Sequence, residues 1–181
     1  MTEAELSDDL WAMLFSVRRS QRYHERRASY FENLHRLTNL TTIVIAGVVL
    51  MEAIGAHSPL YVKLLALLAA MMGVADLVIG FSRRAAAHGA CRNQFIDLEG
   101  AIFKGASYDD AVGQRLKIQK TEPAIYRALD VLCHNETCVS MGCSDQRKVL
   151  PWLQRLTAHI FRWSDAGSTA RPLRASDSRV A

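Results

Sequence analysis

The residue best suited to chemistry in this 181-residue chain is an aspartate inside a long apolar run. Asp76 lies in the segment from Leu64 to Phe81, whose other members are all aliphatic, aromatic or small. An ionisable side chain at membrane depth faces either a partner or water. In a ring of several copies, the Asp76 carboxylates would surround a central path and attract cations. The alternative is that polar or basic groups of the same chain satisfy Asp76, of which the candidates are Thr41, Thr42, His57, Arg83 and Arg84.

The cysteines and histidines give a weaker indication. Cys133, Cys138 and Cys143 recur every five residues beside His134, and cysteine with histidine is a common zinc ligand set. On one continuous helix, however, each step of five residues rotates the side chain away from the last. No nucleophile can be matched to a base by spacing, and the glycines form no phosphate-binding loop. We therefore expect no metal site, no cofactor and no enzymatic activity.

Two apolar runs must position Asp76. They extend from Leu40 to Ala56 and from Leu64 to Phe81, and each approaches the ~20 residues that a helix needs to cross ~30 Å of hydrocarbon. The sequence therefore predicts an all-α membrane protein. It is built on a two-pass transmembrane hairpin with spans at 38–56 and 60–82 and is extended by cytosolic helices.

The residues between the runs predict a tight turn. Gly55 suits a left-handed C-terminal cap, Ser58 an N-cap and Pro59 the first helical position. Two charged residues, Glu52 and Lys63, flank this turn. There they can reach lipid headgroups or each other, so both are further polar candidates of the hairpin.

Insertion of the second run must offset the cost of Asp76. A carboxylate at mid-bilayer costs roughly 2.5–3.5 kcal/mol, and each Leu, Ile, Val or Phe returns about 0.3–0.6 kcal/mol. The nine such residues between Leu64 and Phe81 return about 4 kcal/mol on the same scale. Insertion is thus favoured, and the first span beside it helps. A buried helical pair in a soluble bundle is the alternative.

Arginines stand on the outer flanks of both runs and are absent from the turn. They are Arg18, Arg19, Arg22, Arg26, Arg27 and Arg36 before the first run, and Arg83, Arg84 and Arg92 after the second. Positively charged flanks stay on the cytoplasmic side. The sequence therefore predicts that both termini are cytoplasmic and that the turn lies outside. The acidic start and the late first run predict no cleavable signal peptide.

The composition fits a small membrane protein with a large part in water. Half of the residues are hydrophobic and the formal net charge is +4, but the mean hydropathy is only +0.02. The basic excess lies beside the spans, where anionic lipid attracts it. No nucleic-acid-binding motif accompanies the charge. We expect the lipid bilayer as a partner and no nucleic acid.

Helical patterns cover the remainder of the chain. The N-terminal cytosolic helix, 1–37, begins at a Thr2-x-x-Glu5 capping box or at Ser7 and has no breaker before the first span. The second span similarly continues past Phe81 towards Phe103. The two helices would leave the membrane side by side as an antiparallel stalk.

Shorter helices fill the rest of the cytosolic part, 83–163. Ser107 starts one that runs to about Lys120. The sequence Thr121-Glu122-Pro123 caps a second, and Ser144 begins a third.

This third helix is expected to reach Trp163, with apolar residues along one face and basic residues offset from it. Such a face suits either the membrane interface or packing on the stalk. Beyond it, the small and polar residues 164–181 predict a disordered tail.

Small residues recur along the second span and favour close helix packing, within a hairpin or between copies. They are Ala66, Ala69, Gly73 and Gly80. Close approach of transmembrane helices needs such residues. We therefore expect a homo-oligomer.

The motif residues resemble one known family. Trp11 and Phe15 precede a basic and aromatic cluster, which comprises Arg18, Arg19, Arg22, Tyr23, His24, Arg26 and Arg27. This cluster, followed by two adjacent spans, resembles the SLATT family of two-transmembrane effector domains found beside bacterial nucleotide-second-messenger synthases and SLOG ligand sensors. The similarity continues through Glu122-Pro123, Cys133-His134-Asn135 and Leu150-Pro151-Trp152, so that a single SLATT-like domain would span 1–163.

The resemblance implies a membrane effector of a bacterial conflict or antiphage defence system. Members are thought to form pores or to disrupt the inner membrane when a partner signals infection. A nucleotide-second-messenger synthase or a SLOG-type sensor is the implied partner, and the bacterial inner membrane is the implied location. This chain has no fused sensor domain, so a separate protein, a nucleotide or a change of assembly would have to activate it.

Two further classes of function stay open. The chain could be a membrane-tethered adaptor whose cytosolic helices recruit a partner protein. It could instead be a ligand-binding module that uses the segment Arg18–Arg27 as an anion site. The simplest interpretation of these arginines is that they set the topology and are solvated among lipid phosphates.

Overall fold

The computed structural model describes residues 2–3, 6–54 and 60–164, and these residues form helices without a strand. Within these ranges, the helices follow one another along the chain in a simple order. They are α1 (Asp8–Ile54), α2 (Leu60–Ile79), α3 (Phe81–Phe103), α4 (Tyr108–Gln119), α5 (Arg127–Ser140), the 3-10 helix Ser144–Gln146 and α6 (Trp152–Leu156). The all-helical class predicted from the sequence is confirmed for this part of the chain.

Helix α1 is continuous over 47 residues, about 70 Å at 1.5 Å per residue. Ser7 begins it, because its hydroxyl accepts a hydrogen bond from the backbone N–H of Leu10 at 3.4 Å. Two acidic residues, Asp8 and Asp9, lie in the first turn, where they stabilise the positive end of the helix dipole. The predicted course of one helix, without a break, from the N-terminal segment into the first apolar run is confirmed.

Two helical segments are long and apolar enough to span a membrane. They lie in Asp8–Glu52 and Leu60–Phe103, with mean hydropathies of 1.5 and 2.3 over their most apolar windows. Only 6% of each window is buried inside the structure. A core helix of a soluble bundle would be mostly buried, so this exposure disfavours the soluble alternative.

The second long helix is interrupted at Gly80, contrary to the predicted continuous passage from the span to Phe103. Gly80 adopts the left-handed conformation (φ 65°, ψ 55°) between α2 and α3. Glycine reaches this region without the Cβ clash that other residues meet. The Arg84 Nε donates a hydrogen bond to the carbonyl of Ile79 at the end of α2. Gly80 was predicted to be a helix-packing residue, but it serves as the break between two helices.

Helices α1 and α3 pack against each other as the predicted antiparallel stalk. Their shared core contains Met13 and Val17 from α1 and Phe95, Leu98 and Ile102 from α3. Each of these side chains is at most 5% exposed. Because this core lies far from the apolar runs, the stalk is held together by its own hydrophobic contacts.

Helix α4 begins as predicted, but α5 does not. The Ser107 hydroxyl accepts a hydrogen bond from the backbone N–H of Asp110 at 3.1 Å and caps α4. The expected cap at Thr121–Pro123 lies in a non-helical segment, and α5 starts only after Tyr126. Pro123 disfavours helical backbone at the residue before it, and this segment carries contacts described below.

The last predicted helix is wrong as a single element. Instead of running from Ser144 to Trp163, the chain forms one 3-10 turn, an extended stretch and the five-residue helix α6. Pro151 lacks an N–H group, and its ring would clash with the preceding turn of a helix. Pro151 stands directly before α6, so the periodicity that crosses it does not correspond to one helix face.

Some predictions concern residues outside the described part of the chain. They are the turn at Gly55, Ser58 and Pro59, the last residues of the first span, and the tail from residue 165 onwards. These remain predictions.

Candidate functional site

Asp76 pairs with a histidine of α1. The Nδ1 atom of His35 lies 3.0 Å from the Asp76 carboxylate, and the two side chains are 33% and 19% exposed. Asn39 in turn contacts the other ring nitrogen of His35 at 3.1 Å. Asp76 therefore has a partner in its own chain, and that partner is not among Thr41, Thr42, Arg83 and Arg84. The fifth candidate named from the sequence, His57, lies outside the described residues.

The position of His35 also corrects the expected place of Asp76 along the hairpin. His35 precedes residue 38, where the first span was predicted to begin, so Asp76 lies near the end of the hairpin that adjoins the stalk rather than at its middle. The penalty for a charged side chain falls towards the interface. Thr42, one of the predicted partners, has a buried hydroxyl without a hydrogen-bond partner.

The other polar candidates of the hairpin lie at its far end. The carboxylate of Glu52 lies near the hydroxyl of Tyr61. Lys63 is exposed, and none of the ion pairs between described residues includes it. Glu52 and Lys63 therefore do not pair with each other.

The small residues of α2 differ in their surroundings. Ala66 and Ala69 are half-buried, whereas Gly73 is exposed. A Cβ atom added to Gly73 would meet nothing within 4 Å. Gly73 therefore leaves an open position on the hairpin surface, which the rest of the chain does not use.

The arginine cluster of α1 binds the cytosolic helices. Arg18 pairs with Glu99 of α3 at 2.7 Å, and Arg19 pairs with Asp130 of α5 at 3.2 Å. Arg26 forms an ion pair with Glu136 of α5. The interpretation that lipid phosphates solvate these arginines is wrong for the three, because protein carboxylates occupy their guanidinium groups.

Arg27 is the most buried of the cluster, at 3% exposure. Its guanidinium lies 4.3 Å from the ring centre of Tyr126 and 4.5 Å from that of Phe31. It also donates a hydrogen bond to the carbonyl of His159 at 2.8 Å. Flat aromatic faces and a carbonyl stabilise this cation without a carboxylate, while its buried Nε has no hydrogen-bond partner among the described residues. Arg27 therefore holds the C-terminal segment against α1.

Tyr23 anchors the segment that precedes α5. Its hydroxyl accepts a hydrogen bond from the backbone N–H of Tyr126 at 2.9 Å, and its ring packs on Ala128, Leu129 and Cys133. Burial raises the pKa of Tyr23 to about 12. The hydroxyl is thus a neutral structural group.

His24 links three elements inside the stalk. Its Nδ1 atom lies 2.9 Å from Nδ1 of His88 on α3. Its Nε2 atom lies 3.0 Å from the carboxylate of Glu122. Burial lowers the pKa of His88 to about 4, and the charges of His24, Arg27 and Arg84 act in the same direction. One arrangement satisfies every contact: the Nε2–H of His24 donates to Glu122, and the Nδ1–H of His88 donates to the free Nδ1 of His24.

The sequence reasoning assumed that Cys133, Cys138 and Cys143 lie on one continuous helix. They do not, because α5 ends at Ser140, before Cys143. The chain turns at Gly142, which has a φ of 74°, and the backbone N–H of Cys143 donates to the carbonyl of Cys138 at 2.9 Å. This turn places Cys143 close to Cys138, and His134 Nε2 lies 3.5 Å from the Cys138 sulfur. Within the described residues, no group of three His, Cys, Asp or Glu side chains could hold a metal ion.

Sequence reasoning missed the partners of His24 and Asp76. His24 and His88, and likewise His35 and Asp76, lie at nearly equal distances along the chain from the turn between the runs. In an antiparallel hairpin, such residues face each other. Counting residues in both directions from the turn could therefore have predicted both pairs.

Arg22 differs from its neighbours in the cluster. It is half-buried, yet none of the hydrogen bonds or ion pairs of the described residues includes it. Its side chain borders a groove between α1 and the segment that follows α5.

Comparisons of this chain with protein families, with curated proteins and with solved structures find no match.

Proposed function

We propose that this chain is a SLATT-like membrane effector of a bacterial conflict or antiphage defence system. Its hairpins assemble in the inner membrane and form a pore or disrupt the bilayer when a partner or a nucleotide signal triggers them. The observation that carries the proposal is the exposure of the two apolar helices described above. The motif residues Arg18–Arg27 support the family resemblance on which the defence context depends.

The hairpin leaves most of its apolar side chains without a protein partner. In the spans, Ile45 and Val62 are buried, at 8% and 3% exposure, whereas Leu77 and Val78 are 80% and 73% exposed. Two helices cannot enclose each other, so lipid or further copies must cover the remaining faces. The open position at Gly73 supports contact between copies, because another helix backbone can approach closely there.

The polar pair between His35 and Asp76 supports a regulated path rather than a permanent one. A carboxylate that already accepts a hydrogen bond from His35 is less available to an ion than a free one. Opening this pair in an assembly would present Asp76 to the path that the spans surround. The arginines on both cytosolic flanks support an orientation in which both termini are cytoplasmic.

Membrane potential in expressing cells tests the proposal. A potential-sensitive dye should report depolarisation when the trigger is present, and Gly73→Leu should abolish it by blocking the approach of a second helix. Ala75→Leu is the matched control, because Ala75 is exposed and lies on the opposite side of α2 from Gly73. Unchanged depolarisation in Gly73→Leu, with normal insertion, would contradict assembly through this face.

The Asp76→Ala variant separates a pore from a general disruption of the bilayer. A pore that depends on the carboxylate should lose its cation preference and its current. Disruption by apolar surface alone should persist. Both outcomes are read from dye uptake and potential in the same cells.

One observation favours the alternative function, a membrane-tethered adaptor. The cytosolic part exposes large apolar side chains near its C-terminal end, where Trp152, Leu156 and Ile160 are 74%, 73% and 60% exposed. Such surfaces commonly mark sites of protein contact. Replacement of residues 38–82 by an unrelated two-pass anchor should preserve the function of an adaptor and abolish that of a pore.

A further inference from the structure

A large groove separates α1 from the segment that follows α5. Its volume is about 1180 Å³, slightly more than the ~300–1,000 Å³ that is typical of small-molecule sites. Arg22 borders it on the α1 side, and residues 144–150 and Arg155 border it on the other. The groove is therefore large enough for a ligand rather than only for ordered water.

The groove carries an excess of positive charge. Four basic side chains line it, namely Arg22, Arg147, Lys148 and Arg155. Two carboxylates, those of Glu136 and Asp145, line it as well, and Glu136 is already paired with Arg26. The charge that remains is that of four cations facing the single carboxylate of Asp145, which favours an anionic ligand.

Arg22 gives a more specific indication. Arg18, Arg19 and Arg26 each pair with a carboxylate, and Arg27 lies between aromatic rings. Arg22 alone of this cluster is half-buried without a hydrogen bond or ion pair from the described residues. Because no protein carboxylate of the described residues neutralises Arg22 and its side chain lines the groove, it can pair with an anionic group of a ligand.

The opposite side of the groove is held in place by side-chain hydrogen bonds. Asn135 of α5 donates to the carbonyl of Lys148 at 2.8 Å and accepts from its N–H at 2.7 Å. His134 contacts the carbonyl of Gln146 at 3.2 Å. These bonds hold the extended segment against α5 and fix the backbone positions of Arg147 and Lys148. Apolar side chains, Leu132, Val139 and Leu150, complete the lining.

We propose that this groove binds a soluble phosphate-bearing ligand whose other end is planar or apolar, such as a nucleotide. Guanidinium groups match phosphate oxygens through paired N–H donors, and the aliphatic wall suits the uncharged end of the ligand. The site goes beyond the proposed membrane activity, and it does not require that the hairpin conducts ions.

The distance between the groove and the apolar part of α1 favours a soluble ligand over a lipid headgroup. Fifteen residues of α1 separate Arg22 from Leu37, where apolar exposure begins, and this corresponds to roughly 20–25 Å. The headgroup layer adds only about 5–8 Å to each side of the hydrocarbon. A phosphate in the bilayer would not reach Arg22.

Calorimetric titration of the full chain in detergent micelles tests the site. The probes are adenosine triphosphate, inorganic pyrophosphate and, as the uncharged control, adenosine. Both phosphates should bind, and adenosine should not. Arg22→Ala and Arg155→Ala should each weaken phosphate binding by about tenfold or more. Lys117→Ala, which removes an exposed charge of α4 outside the groove, should change it by less than about twofold.

Two results would overturn the proposal. The first is that neither adenosine triphosphate nor pyrophosphate binds at about 1 mM, or that Arg22→Ala, Arg155→Ala and Lys117→Ala weaken phosphate binding equally. The second concerns the source of the phosphate. If nanodiscs of phosphatidylglycerol abolish nucleotide binding while those of phosphatidylcholine preserve it, a lipid headgroup fills the groove and the soluble source is wrong. Should Arg22→Ala fail to show a cooperative thermal transition, Arg155→Ala alone decides the outcome.

Discussion

His24 and His88 face each other inside the stalk, with their Nδ1 atoms 2.9 Å apart. Only one proton fits between two such nitrogens, because two donors at this distance would repel each other. His24 is fully buried and His88 is 3% exposed. The stalk between α1 and α3 therefore requires that at least one of these histidines is neutral.

The pKa of His88 predicts a loss of stability in acid. Its pKa is about 4 in the folded chain against ~6.5 when unfolded, so the neutral form is favoured by folding. This contribution is complete above pH 6.5 and is lost as the pH falls through about 4, and it amounts to about 3 kcal/mol. Thermal unfolding in detergent between pH 7.5 and 4 measures it.

The control for this prediction is His88→Asn, which should make the profile shallower in that range. A slope should remain in the variant, because burial also lowers the pKa of His159 to about 4. Identical profiles for the variant and the parent chain would show that the histidine pair does not limit stability in acid.

Removal of a single hydroxyl should weaken the attachment of α5. Tyr23→Phe leaves the backbone N–H of Tyr126 without its acceptor, and an unsatisfied buried donor costs about 1–3 kcal/mol. Denaturant titration followed by circular dichroism measures the loss. Tyr108→Phe is the matched control, because Tyr108 is 43% exposed, and its substitution should be neutral.

Arg27 should not tolerate lysine. An ammonium group can neither stack between Tyr126 and Phe31 as a flat guanidinium does nor reach the His159 carbonyl in the same geometry. We expect Arg27→Lys to release the C-terminal segment, which limited proteolysis would detect as faster cleavage between residues 147 and 164. Arg36→Lys, on an exposed pair with Glu32, should leave the cleavage rate unchanged.

The left-handed glycine should be sensitive to a single methyl group. Gly80→Ala places a Cβ atom in a conformation that costs roughly 1–2 kcal/mol, so the free energy of unfolding should fall by about 1 kcal/mol. Gly73→Ala is the control. Its Cβ atom enters open space in a helix, where alanine is favoured over glycine by about 0.5–1 kcal/mol. Equal effects of the two substitutions would show that the break at Gly80 is not required.

The buried thiols should resist modification at neutral pH. Burial raises the pKa of Cys133 to about 12 and that of Cys138 to about 11, and all four cysteines are buried. Since the thiolate is the reactive form, an uncharged alkylating reagent at pH 7.5 should label the folded chain slowly. Labelling should be rapid after denaturation in dodecyl sulfate. Rapid labelling of the folded chain would contradict the burial of the α5 thiols.

The long helices could be predicted because apolar periodicity and Ser7, Ser107 and the arginine flanks carry local signals. The interruptions of the helices at Gly80 and at Pro151 could not be predicted. Gly80 looks like any other small residue of a span, and its left-handed conformation becomes visible only where α2 meets α3. Pro151 lies inside an apparently regular apolar pattern, and the proline effect overrode that pattern.

The candidate sites were predicted only in part. The cluster Arg18–Arg27 was identified, but its role was not, because the partners Glu99, Asp130 and Glu136 are distant in sequence. Asp76 was singled out correctly as a paired or functional group, yet its partner His35 depends on the register of the hairpin. Arg22 could be distinguished from the other arginines only when their partners were known.

The unbroken course of α1 has a mechanical consequence. A helix that runs from Asp8 to Ile54 without a break tilts or rotates as one body, so a displacement at Arg22 is transmitted to the residues beyond Leu40. The second long helical segment, α2 and α3, is interrupted at Gly80 and can bend there, whereas α1 has no such break. Any event that displaces the N-terminal end of α1 would therefore make the two apolar helices slide past each other.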